Sequence, residues 1–157
     1  MKEIKYTKGD ATVPQAKGIK IIAHICNNLG GWGKGFVLAI SKKWETPEIA
    51  YRKWHRERAT NNFELGNIQM VETDQFIYVC NMIAQQGMKT GSNGVPIRYE
   101  ALEKCLEKLA IEAKSLNASI HMPRIGCGLA GGKWEMVEPI IFETLSKNDI
   151  EVTVYDF

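Results

Sequence analysis

The stretch Met122-Pro-Arg-Ile-Gly-Cys-Gly-Leu-Ala-Gly-Gly-Lys-Trp-Glu135 places four glycines, Gly126, Gly128, Gly131 and Gly132, within seven residues. An apolar, β-leaning run over 118–122 leads into it, and a helical pattern beginning near Lys133 leads out. Glycine tolerates positive φ and lets a ligand approach the backbone with no Cβ in the way. A strand, a glycine loop and a helix N-terminus, in that order, present unpaired N–H groups to an anion, most often a phosphate. The spacing is neither GxGxxG nor GxxxxGK[ST], so neither of those nucleotide fingerprints applies. The competing reading is a tight structural turn.

The same order of elements occurs a second time. Ile21-Ile-Ala-His-Ile-Cys26 reads as a buried strand, Asn27-Asn-Leu-Gly-Gly-Trp-Gly-Lys-Gly35 follows, and Phe36 to Trp44 has helical spacing. Two such loops suit a ligand with two phosphates, or with a phosphate and a ribose. In an open α/β sheet both would stand at the carboxyl ends of strands, where such folds bind ligands.

The rest of the chain alternates in the same way. Strands are expected at 3–7, 20–26, 66–72, 75–84, 118–123 and 150–155, with a tight turn at Thr73-Asp74 between the third and fourth. Helices are expected from about Lys34, from Pro47, over 99–116 and over 133–146. This pattern predicts one α/β domain over 1–157, a three-layer α/β/α sandwich with a mixed central sheet of about six strands buried on both faces. The loop over 85–95 carries three glycines and follows the central strand, which puts it beside a ligand.

Charge narrows the partners. Twenty basic and 18 acidic side chains leave +2, too little to imply nucleic-acid or membrane binding by charge alone. The basic, aromatic run Tyr51 to Arg58 is read as a solvated helix face with packed aromatics. The four cysteines show no CxxC or zinc spacing, so buried free thiols are expected, with no metal and no cofactor. No signal-like segment precedes the first strand, and a cytoplasmic protein is expected.

Lys5-Tyr-Thr-Lys-Gly-Asp10, Ala23-His24, the Gly33-x-Gly35 pair, Met122-Pro-Arg-Ile-Gly-Cys-Gly-Leu129 and Trp134-Glu135 together resemble a macrodomain, the ADP-ribose-binding α/β/α module. The resemblance runs from Lys5 to Tyr155. It is closest to the branch holding the terminal ADP-ribose protein glycohydrolase and the small phosphatase of ADP-ribose 1″-phosphate. It implies that Asp10 accepts a hydrogen bond from the adenine amino group, that Ala11 offers its backbone to the base, and that Tyr155 or Phe157 lies near the base. It assigns Arg124, Ile125, Gly126, Cys127, Gly128, Leu129 and Ala130 to the pyrophosphate, mostly through backbone N–H groups. It assigns Asn27, Gly31, Trp32, Gly33 and Gly35 to the distal ribose and second phosphate. Taken alone, the residues allow blander roles: Asp10 as a turn or cap, His24 as a satisfied core histidine, Asn27 and Asn28 as turn formers, and Trp32 as helix packing.

Catalysis carries over less completely. Glycohydrolase members use a lysine that attacks the ribose and an aspartate in the glycine loop. Here those places read Gln85-Gln86 and Ala130, and neither Lys34 nor Lys89 matches the motif. His24-Ile-Cys26-Asn27 and Gly31-Trp-Gly33 are similar to the phosphatase members. That implies hydrolysis of ADP-ribose 1″-phosphate or an ADP-ribosyl ester, with His24 or Asn28 orienting water. A second reading is a non-catalytic reader of ADP-ribose, or of ADP-ribosylated protein or nucleic acid. A third is a hydrolase using Cys127, at a helix start that favours a thiolate, with His24 as its base.

Overall fold

The alternation resolves into six strands and four α-helices in a computed structural model, which describes residues 1–88 and 94–157. In chain order the elements are β1 (Lys5–Lys8), β2 (Lys20–Asn27), α1 (Phe36–Lys43), α2 (Thr46–Arg56), β3 (Ile68–Asp74), β4 (Ile77–Gln85), α3 (Tyr99–Leu116), β5 (Ser119–Met122), α4 (Trp134–Thr144) and β6 (Val152–Asp156). The sheet order is β1-β6-β5-β2-β4-β3. Every neighbouring pair is parallel except β3 with β4.

The central strands explain the layering. β2 and β4 are apolar on both sides and almost wholly buried, so each face needs a cover. On one face α3 presents Leu102, Cys105, Leu106 and Leu109 at helical spacing, all fully buried, and α4 adds Val137 and Ile141. On the other, Val37 and Ile40 of α1 and Tyr51 and Trp54 of α2 pack on Ile22, Val79 and Ile83. α3 ends where Asn117 turns left-handed at φ 52, and Ala118 N–H then returns to Ala113 O at 2.8 Å. Three layers follow, as the alternation predicts. The basic run of α2 keeps its charges outward and its aromatics inward. Cys26, Cys80 and Cys105 are buried free thiols.

One turn departs from expectation. Thr73 and Asp74 lie in β3, and the two-residue turn is Gln75-Phe76, with Phe76 at φ 68. Side chains elsewhere hold the two turn formers in the strand. Asp74 accepts the Trp44 indole N–H at 2.8 Å and pairs with Ile77, and Thr73 Oγ1 donates to Ile77 O at 3.0 Å. A bulge between Glu72 and Asp74 absorbs the difference. No helix among the described residues is long and apolar enough to cross a membrane.

The topology sets the site. The carboxyl ends of the five mutually parallel strands share one edge of the sheet. β2 and β5 are neighbours there, yet the chain leaves β2 for α1 on one face and leaves β5 for α4 on the other. Loops that part to opposite faces open a crevice at that edge.

Candidate functional site

The loop after β2 is braced from three directions. The Asn27 amide sits inside it: Oδ1 accepts Leu29 N–H at 2.9 Å and Gly31 N–H at 3.1 Å, and Nδ2 donates to Gly31 O at 2.9 Å. From α2, Tyr51 OH donates to Asn27 O at 2.6 Å, with Asn27 Oδ1 at 3.0 Å, and Arg52 donates to Gly30 O at 3.0 Å. From the β4 end, Gln85 O accepts Asn28 N–H, and Asn28 Oδ1 accepts Gly87 N–H at 2.9 Å. The N–H groups of Trp32, Gly33, Lys34, Gly35 and Phe36 have no acceptor among the described residues, and α1 has no side-chain cap. The positive end of α1 therefore faces the crevice.

The loop after β5 closes on itself. Gly132 N–H reaches Gly126 O at 2.6 Å and Gly131 N–H reaches Gly128 O at 3.0 Å. Ile125 and Ala130 are buried anchors, and Ile97 N–H donates to Ala130 O at 3.0 Å. The N–H groups of Gly126, Gly128, Leu129 and Ala130 have no acceptor among the described residues. The two loops meet, because a Cβ built on Gly35 would lie 3.5 Å from Leu129 Cδ1. At Gly33 and Gly128 the same construction meets nothing within 4 Å, so both open onto free space. Two runs of backbone donors thus flank one crevice at the point where the topology switches.

The turn after β1 is held by side-chain bonds as well. Asp10 makes the turn its residue type favours: Oδ1 accepts Thr12 N–H at 2.8 Å and the Thr12 hydroxyl at 2.7 Å. Its Oδ2 has no partner among the described residues. Ala11 is buried beside it. Tyr155 is 4% exposed, and its OH accepts Gln15 N–H at 2.9 Å and bonds His121 Nδ1 at 2.7 Å. Lys43 Nζ donates to Thr12 O at 2.8 Å, tying this turn to the end of α1. Phe157 is fully exposed beyond β6.

Several expected side chains do not reach the crevice. His24 is 2% exposed, with Nε2 2.5 Å from Asn81 Oδ1 and its ring edge-on to Trp32. Burial pulls its pKa down to about 4, so it is a neutral core residue and not a base for water or for Cys127. Trp32 is equally buried and donates to Ser41 Oγ at 2.7 Å, which leaves only its backbone at the loop. Asn27 spends its amide inside the loop. Arg124 is engaged by Asp156. Cys127 has its thiol pKa raised by burial, the opposite direction from an activated thiolate, and His24, its expected base, is held in the core by Asn81. Lys34 is exposed, and Lys89 lies outside the described residues. Gln85 and Gln86 make structural bonds to Gly87 O and Arg98. Asn28 keeps an Nδ2 without a partner among the described residues. No group of three potential metal ligands occurs among them.

Tyr51 and Arg52 are the functional supports that sequence reasoning missed. Tyr51 looks like one more core aromatic of α2, and nothing local reveals that its hydroxyl ends on Asn27.

A pH dependence follows from the buried histidines. His24 and His121 are both lowered by burial, to about 4, against 6.5 when unfolded. Between these values the unfolded chain binds more protons than the fold, so stability rises from pH 4 to 6.5 and levels off above. Each contributes up to about 3 kcal/mol over that window. Urea midpoints should fall steadily as pH drops below 6.5. Midpoints constant down to pH 4.5 would contradict neutral core histidines.

The Macro domain family model matches residues 23–141. The chain is 26% identical over 163 residues to the ADP-ribose 1″-phosphate phosphatase of Lodderomyces elongisporus, covering 98% of this chain and 99% of that protein. It is 30% identical over 161 residues to chromodomain-helicase-DNA-binding protein 1-like of Danio rerio, covering 97% of this chain but 15% of that longer protein. A solved macrodomain protein from Streptomyces coelicolor superposes with a TM-score of 0.90 at 55% identity, covering 99% of each chain. The chain belongs to the macrodomain family.

Proposed function

We propose that residues 1–157 form one unit that binds ADP-ribose across the crevice and slowly hydrolyses ADP-ribose 1″-phosphate or an ADP-ribosyl ester. The observation that carries this reading is the pair of facing loops whose N–H groups have no acceptor among the described residues. Asp10 follows β1 at the carboxyl edge of the same parallel strands, which leaves the base end of such a ligand to it and the phosphates to the loops. The named activity of the Lodderomyces relative supports the hydrolytic part.

Asp10 Oδ2 takes the adenine amino group, the 126–130 amides take the diphosphate, and the 32–36 amides take the distal end. For the 1″-phosphate, water attacks phosphorus, the P–O bond to the ribose breaks, and ADP-ribose and inorganic phosphate leave. Backbone donors stabilise the charge that develops, and one such donor is typically worth ~100-fold or more in rate. Asn28 Nδ2 orients the water. No lysine adduct forms, because Gln85, Gln86 and Ala130 stand where the glycohydrolase branch has its reactive groups. The free buried thiols fit a reducing compartment such as the cytoplasm.

A reader of ADP-ribosylated protein or nucleic acid without turnover is the second reading. It is favoured by the burial of His24 and by Ala130, which stands where the glycohydrolase branch has an aspartate. Phosphorus NMR separates the two. Hydrolysis converts the ADP-ribose 1″-phosphate signal to inorganic phosphate overnight, whereas a reader leaves it unchanged while still binding ADP-ribose. Asp10→Ala should weaken ADP-ribose binding by about 1–3 kcal/mol, the worth of a hydrogen bond to a charged group. Unchanged affinity by calorimetry would remove Asp10 from the site.

A further inference from the structure

The glycine loop of residues 125–133 is bracketed by Arg124 and Trp134, and these two side chains meet. The Arg124 guanidinium lies 5.1 Å from the Trp134 ring centre and 5.2 Å from that of Tyr6 on β1. The two rings meet edge to face at 81°, so the cation sits in the corner between them. Trp134 Nε1 donates to Tyr6 OH at 3.0 Å, and Tyr6 OH donates in turn to Glu138 of α4. The other side of the guanidinium is taken by Asp156 at the end of β6. Nε reaches Oδ1 at 2.7 Å and Nη2 reaches Oδ2 at 3.1 Å, a two-point pairing that lysine cannot copy. Three elements, β1, α4 and β6, therefore converge on the two ends of the loop whose amides face the crevice.

We propose that Arg124 and Trp134 are positioning residues, which pin both ends of the 125–133 loop so that its N–H groups are aimed before any phosphate arrives. The idea rests on the ADP-ribose reading for its ligand. It differs from the expectation for an arginine beside a phosphate loop, which is direct charge contact. Here the charge is matched by Asp156 and the planar group serves as a brace. Preset donors lose less freedom on binding than donors that must first be ordered.

The two roles predict opposite signs in one variant. If Arg124 contacts phosphate through its charge, Asp156→Asn frees it and tightens ADP-ribose binding. If Arg124 is a brace, Asp156→Asn loosens it and weakens binding by about tenfold, a typical loss for a cation–π and ion-pair corner. Arg124→Lys should then be no better than Arg124→Ala, since charge without the planar fork does not rebuild the corner. Adenosine, which lacks phosphate, should bind all three variants and the parent protein equally by NMR titration. Tighter ADP-ribose binding in Asp156→Asn, or near-parental binding in Arg124→Lys, would overturn the proposal. A readout without nucleotide keeps it apart from the functional reading. Amide exchange at Gly131 and Gly132, bonded within the loop, should speed up in Arg124→Lys and Asp156→Asn, and unchanged exchange in both would also overturn it. If the parent protein fails to bind ADP-ribose, the functional reading falls and the exchange result still decides this one.

Discussion

Gly128→Glu should leave the protein folded and reduce ADP-ribose binding by more than about a hundredfold, or about 2.7 kcal/mol. Gly128 is exposed, its φ lies outside the left-handed region, and a Cβ there meets nothing within 4 Å. A side chain is therefore tolerated by the fold. It is not tolerated by a phosphate bound to the N–H groups of Gly126, Gly128, Leu129 and Ala130, which have no acceptor among the described residues. A glutamate there fills the space and adds like charge. Two unit charges ~4 Å apart near a protein surface repel by about 4 kcal/mol, enough to exceed the stated loss. Gly128→Gln separates volume from charge and should fall between parent and glutamate. The checks are calorimetry for binding and a thermal melt for folding. A glutamate variant that binds as the parent does would show that the loop is not a phosphate cradle.

The second large effect is on stability. Gly126→Ala should cost about 2–5 kcal/mol. Gly126 sits at φ 75, where an L side chain costs roughly 1–2 kcal/mol. The added Cβ would overlap Ile97 Cδ1 and stand 3.0 Å from Ile25 Cδ1. Ile97 is buried and cannot simply swing away, and overpacking a tight site costs about 1–3 kcal/mol. Gly132 compounds the problem, because the loop folds its chain against Gly126 O. The cradle should distort as the core adjusts, so ADP-ribose affinity should fall along with the urea midpoint. A loss below about 0.5 kcal/mol, the range of an ordinary surface change, would contradict the packing argument.

Local patterns carried most of the fold. The periodicity of α3 and the two-sided apolar character of β2 and β4 need no distant partner to be read. The glycine loops were legible for the same reason, since glycine spacing between a strand and a helix is local. What escaped was long-range pairing. His24 meets Asn81 from 57 positions away, and that bond decides that it faces the core. Tyr51 reaches back to Asn27 across 24 positions, and Arg124 reaches forward to Asp156 across 32. The β3–β4 turn moved because Trp44 holds Asp74 in the strand. Side chains whose role depends on a partner elsewhere were assigned by resemblance, and Asn27, Trp32 and Arg124 each bond a protein group that the resemblance does not name.

Calorimetric titration of the protein with ADP-ribose tests the central claim most directly. The facing loops and Asp10 predict one site per chain with micromolar affinity, on the order of −8 kcal/mol. That heat should vanish in Gly128→Glu while the variant still melts cooperatively. Absence of any heat in the parent protein at millimolar ADP-ribose, or equal binding by Gly128→Glu, would contradict it.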